Sequence, residues 1–205
     1  MRLPTMGLAS VGRLSFRIAG RWFLLLLFVF TPRVTFAEDF RKTESVSSSK
    51  VFEQMLLWAE DEDYEKVKKG MSLLEPVFVR VDQILTINMR ETLENALVSK
   101  ENQSTVETLQ CLICLSIESL LKEVESPSTD LVETKRKIKQ AFAEYIVLDS
   151  YVKRINFEES KSLQKYFRLM NATAENRMEQ FYTSCQEIGM TLGRLFSHCK
   201  ELAIL

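Results

Sequence analysis

The chain has 205 residues, 27 Lys and Arg against 28 Asp and Glu, and a single histidine. That length suits one domain with a real core, and that charge balance does not suit a surface for nucleic acid or anionic membrane. Only 6 Gly and 4 Pro leave no room for a hairpin-rich fold, and no strand-like alternation is sustained, so the expected fold class is all-α.

Residues 1–37 read as a signal peptide. Arg2, Arg13, Arg17 and Arg21 precede the apolar run Trp22 to Phe30, and no acidic residue occurs before Glu38. Nine apolar residues fall short of the roughly 20 that a spanning helix needs. Thr35-Phe36-Ala37 then places small residues at −3 and −1 of a cleavage point, so the mature chain is expected to begin at Glu38. It would keep 168 residues, with 22 Lys and Arg against 28 Asp and Glu, and no transmembrane span. The expected location is the periplasm in a bacterium and the extracellular space in a eukaryote.

Residues 38–50 are polar and Ser-rich and read as a loose leader, with a single helical domain over 51–205. Phe52, Met55, Leu56 and Ala59 sit at helical spacing. The acidic cluster Glu60, Asp61, Glu62, Asp63 follows and reads as a helix N-terminus favoured by the macrodipole. Tyr64, Val67, Met71, Leu74, Phe78, Val81 and Leu85 then form one core-facing stripe, which Pro76 should kink. A helix over 89–99 comes next. Asn102 or Ser104 is the expected cap of a helix over about 104–125, ended by Ser126-Pro127.

Ser128, Thr129 or Asp130 is the expected cap of the following helix, whose stripe is Leu131, Ile138, Phe142, Tyr145, Leu148, Val152 and Ile155. Leu163, Phe167, Met170 and Ala174 begin a further stripe that runs on through Met178, Phe181, Cys185, Ile188, Leu192, Leu195, Cys199 and Leu202. Unbroken, 158–202 would be about 67 Å long, so a break is expected near Asn171. The predicted architecture is an antiparallel bundle of about four long helices plus shorter ones.

Cys111 and Cys114 stand in C-x-x-C spacing. Covalent haem would need a histidine after Cys114, where Leu115 stands. A thioredoxin-type couple belongs at a helix start after a strand, whereas Cys111 lies about two turns into its helix. Cys185 and Cys199, spaced along one continuous helix, would lie about 21 Å apart and could not share an ion. The four cysteines therefore read as core residues, with one cross-helix disulfide from Cys111 or Cys114 to Cys185 or Cys199 as the alternative that export permits. His198 has no partnered nucleophile in view and there is no Gly-rich phosphate loop, so no catalytic residue and no cofactor is assigned and the protein reads as non-enzymatic.

Arg90-Glu91-Thr92-Leu93-Glu94 resembles the R-E-x-L-E signature of oxidase-coupled and bacterial iron permeases, whose paired glutamates bind iron. The resemblance would make Glu91 and Glu94, one turn apart, the metal ligands. Residues 135–170 resemble exported bacterial helical-bundle domains found near cytochromes or fused to such permeases. That likeness implies a periplasmic accessory or binding module in metal or redox traffic, with a protein partner. The competing reading is a secreted four-helix cytokine-like ligand, since Asn102-Gln103-Ser104 and Asn171-Ala172-Thr173 are glycosylation sequons.

Overall fold

The computed structural model describes residues 47–126, 130–176 and 179–199. The segment 1–37 read as a signal peptide, most of the expected leader, Met178 and Leu202 lie outside them. Among the described residues there are eight α-helices and no strand: α1 Ser48–Glu60, α2 Tyr64–Leu73, α3 Glu75–Leu85, α4 Met89–Ser99, α5 Asn102–Glu125, α6 Leu131–Ile155, α7 Phe157–Thr173 and α8 Glu179–Leu195. The chain is all-α, as its breaker-poor composition requires.

The helix ends follow from local side chains. Asp63 caps α2 by accepting from Lys66 N, Asn88 caps α4 through Glu91 N, and Asp130 caps α6 through Glu133 N. Each side-chain oxygen satisfies a backbone donor that the helix itself cannot. Asn156 accepts from both Glu158 N and Glu159 N, which lets α7 restart one residue after α6 stops. The αL residues Thr86 and Lys100 end α3 and α4.

Four expectations need correction. The stripe through 64–85 is not one kinked helix. It divides at Leu74, and Pro76 occupies the first turn of α3, where its missing N–H has no partner to lose. The fifth helix begins at Asn102 with Glu101 at the cap position and no side-chain cap, so neither Asn102 nor Ser104 caps it. The first helix starts at Ser48, inside the expected leader, because Ser48 has a buried partner described below. Finally, α8 ends at Leu195 and a turn at Phe196-Ser197 follows, so Cys199 is not 14 residues along the same helix from Cys185.

Helix α5 is the centre of the packing. It touches α1, α3, α4, α6 and α8, and Leu109, Leu112, Ile113, Leu115 and Ile117 along it are buried. It is long and apolar enough to cross a membrane, yet most of its apolar stretch lies inside the protein. The expected stripes are buried in their middles: Ile138, Tyr145, Leu148 and Val152 on α6, Leu163, Phe167 and Met170 on α7, Phe181, Ile188 and Leu192 on α8. Their outer members are not. Leu131 and Ile155, at the two ends of α6, are exposed.

Candidate functional site

Three features of the core exceed plain apolar packing. The first is a polar network inside the helices. Glu144 on α6 is fully buried. Its Oε1 accepts from Ser48 Oγ at 2.6 Å and Gln140 Nε2 at 3.1 Å, and its Oε2 accepts from Ser116 Oγ at 2.7 Å. Arg80 on α3 reaches the same serine, donating to Ser116 Oγ at 2.6 Å and to Ser119 Oγ at 2.9 Å. One carboxylate thus ties α1, α3, α5 and α6 together through two hydroxyls. Burial lowers the Arg80 pKa and the nearby Glu144 charge opposes that shift, but a guanidinium remains protonated. Every group in the network has a partner, so the arrangement is suited to fixing helix positions.

A second network joins α6 to α7. Asp149 accepts from Tyr145 Oη at 2.8 Å, Ser160 Oγ at 2.6 Å and Gln164 Nε2 at 3.3 Å, and pairs with Lys153 at 2.5 Å. Burial opposes ionisation of Asp149, but these four donors outweigh it and hold the carboxyl below its ordinary value. Burial, reinforced by Asp149, pushes the Tyr145 hydroxyl well above the usual tyrosine range.

The third feature lies between α5 and α8. A groove of about 510 Å³ runs between these helices, with Leu121, Cys185, Gly189 and Gly193 along it and Glu118, Lys122 and Glu125 on the α5 side. A Cβ added at Gly189 or Gly193 would meet nothing within 4 Å, whereas one at Gly70 would lie 2.6 Å from Met55 Cγ. Gly70 is therefore required by packing between α1 and α2. The two α8 glycines are not required by anything inside the fold, although each costs about 1 kcal/mol against alanine in a helix. Met190, beside them, is 60% exposed.

The cysteines divide. Cys111 and Cys199 form a disulfide across 88 residues, with Cα atoms 5.1 Å apart. Cys114 and Cys185 are buried thiols. Cys185 Sγ lies 3.1 Å from Met170 Sδ, and burial, with Glu125 nearby, pushes its pKa up to about 12, which suppresses the thiolate. The turn after α8 delivers Cys199 to α5, and Phe196 within that turn is buried.

Other sequence-predicted positions have local roles. Glu91 and Asn88 form a reciprocal cap, Glu91 Oε2 accepting from Asn88 Nδ2 at 3.2 Å. Glu94 lies 3.8 Å from Arg90, which also pairs with Glu75. No third carboxylate, Cys or His stands with Glu91 and Glu94 at ligand distance among the described residues. In the acidic cluster, Glu60 accepts from Tyr151 Oη at 2.7 Å and Asp63 pairs with Lys66. Asn102 donates its amide to Glu60 O at 3.2 Å, while Asn171 is exposed in the last turn of α7.

Sequence reasoning missed both polar networks, although one signal was present. Glu144 stands three residues after Ala141 and four before Leu148, both buried, so helical periodicity puts a carboxylate on the core face. Ser116 and Ser119 within an otherwise apolar helix are the complementary signal. No protein-family model, no curated protein and no solved structure matches this chain.

Proposed function

We propose that the protein is an exported, non-enzymatic helical-bundle module that holds a helix of a partner protein in the groove between α5 and α8. The observation that carries this reading is the open space over Gly189 and Gly193. Two helix-weakening residues, four apart on one face, leave room for a second backbone to approach closely. The groove offers an apolar floor at Leu121 and Cys185, an adaptable Met190 beside it and charges on one side, which is the pattern of a helix-in-groove site. Export is supported by the basic, acid-free start and the apolar run before Ala37. A place beside metal- or redox-handling partners in the periplasm rests on the likeness of residues 135–170 and of the R-E-T-L-E stretch.

The cytokine-like reading retains one supporting observation, the exposed Asn171 in its sequon. Asn102 supports it less, because its amide is already engaged with Glu60.

The test places a photo-crosslinking amino acid at Met190 in the groove and, separately, at Val132, which is 80% exposed on another helix. In the native compartment, position 190 should give one discrete protein adduct and position 132 none. The adduct should vanish in a Gly189→Leu, Gly193→Leu double variant that retains its helical circular dichroism. Equal labelling from both positions, or an adduct that survives the double variant, would remove the groove as the binding site.

A further inference from the structure

Away from the groove floor and the buried networks, one set of side chains brings together three metal-ligating atoms. Cys111 Sγ, Cys199 Sγ and a ring nitrogen of His198 all lie within 4.8 Å of one another. The two sulfurs are bonded to each other. His198 Nε2 is buried and has no hydrogen-bond partner, and an unsatisfied buried polar atom costs about 1–3 kcal/mol. The His198 side chain as a whole is partly exposed, but among the described residues none hydrogen-bonds its buried Nε2.

We propose that reduction of the Cys111–Cys199 disulfide converts this corner into a binding site for a borderline-soft divalent cation of the zinc type, held by two thiolates and the His198 imidazole. The inference is independent of the groove. Two-sulfur, one-nitrogen donor sets suit such an ion. In a tetrahedral shell with metal–sulfur bonds of about 2.3 Å and metal–nitrogen bonds of about 2.0 Å, ligand atoms stand roughly 3.5–3.8 Å apart. The sulfurs need only separate from bonding distance to that spacing, and the imidazole need close by no more than about 1.3 Å. Helix α5, packed on five others, fixes Cys111. The buried Phe196 anchors the turn that carries His198 and Cys199.

The chemistry balances with a phosphine as reductant. The phosphine takes the oxygen of one water and becomes its oxide, the S–S bond breaks, and each sulfur gains one proton. The cation then displaces both thiol protons to solvent and forms two metal–sulfur bonds, while His198 donates a nitrogen lone pair. A fourth position remains for water. The oxidised form has no thiolate to offer at this corner, so cation binding and the disulfide exclude one another.

The experiment uses the mature chain carrying Cys114→Ser and Cys185→Ser, so that no other thiol competes. Cobalt(II) serves as the spectroscopic probe and zinc(II) displaces it. After anaerobic reduction, one cobalt per chain should bind with the intense visible bands of a tetrahedral thiolate complex, and none before reduction. His198→Ala should weaken binding by about ten-fold or more, since even the loss of an outer partner of a metal ligand costs that much. Cys111→Ser should abolish the spectrum, and Glu91→Gln with Glu94→Gln should leave it unchanged. Binding without reduction, unaltered binding in His198→Ala, or no binding by a reduced chain that keeps its helical circular dichroism would overturn the proposal. Loss of helical circular dichroism on reduction would overturn it as well, because nothing would then hold the three ligands together.

Discussion

Ser48, the first residue of α1, donates its hydroxyl to Glu144 Oε1 at 2.6 Å across 96 positions of sequence. The other carboxylate oxygen is held by Ser116, which in turn receives Arg80. Removing the carboxylate leaves the Ser48, Ser116 and Gln140 donors without their acceptor and Arg80 without a nearby counter-charge. Glu144→Ala is therefore expected to cost about 3 kcal/mol, the scale for stripping one member from a buried charged network. Glu144→Gln keeps one oxygen and should cost about half as much. Urea unfolding of the two variants checks the order, and equal midpoints for both and the parent would show that the network adds no stability.

The Asp149 site gives a pH prediction with a definite sign. Its folded-state pKa lies below the ordinary 3.8, so the stabilisation it provides is complete above that value. It declines as pH falls through 3.8 and is gone below the folded pKa. At neutral pH, Asp149→Asn should cost about 1–3 kcal/mol, since its four donors lose a charged acceptor. The difference between variant and parent should shrink by roughly pH 3. Denaturant melts at the two pH values test this, and a gap that widens in acid would reverse the sign.

Glycine substitutions should separate the two kinds of site. Gly189→Ala places its Cβ in open space and gains helix propensity, so stability should rise by just under about 1 kcal/mol, or roughly 2–4 °C in Tm. Gly70→Ala drives its Cβ into Met55, which is fully buried and cannot swing into solvent. Overpacking of about 1–3 kcal/mol should then exceed the propensity gain. Thermal unfolding followed at the helical band resolves the opposite signs.

Export makes a covalent prediction. The secreted product should begin at Glu38, as read by N-terminal sequencing or intact mass. A membrane-bound product retaining Met1 would identify residues 22–30 as an anchor.

The helices were legible because apolar residues recur at three and four on otherwise polar faces, and Phe52, Val67, Ile138, Phe167 and Ile188 are all fully or nearly fully buried. Junctions were less legible. Leu74 keeps the stripe spacing between Met71 and Phe78, so periodicity runs straight through the boundary between α2 and α3. Asn156 double-caps α7, yet a single Asn between Ile155 and Phe157 does not by itself mark a helix boundary. A cross-helix disulfide was legible as an alternative, and Cys111–Cys199 is one of its four pairings, but which of them forms depends on where the chain turns after Leu195. The groove was not legible either, because a glycine needed for close packing and one facing open space look identical in sequence.

The disulfide gives the molecule a topology that its helices alone would not have. Residues 111–199 form a covalent ring that contains most of α5 and all of α6, α7 and α8, with α1 to α4 attached as a tail. One cut inside the ring, such as at Asn156 between α6 and α7, opens it without releasing a fragment. A cut in the tail, at the α3–α4 junction for example, detaches everything before it from covalent linkage. A single cut thus leaves the chain in one covalent piece within the ring and divides it within the tail, and only while the sulfurs stay joined.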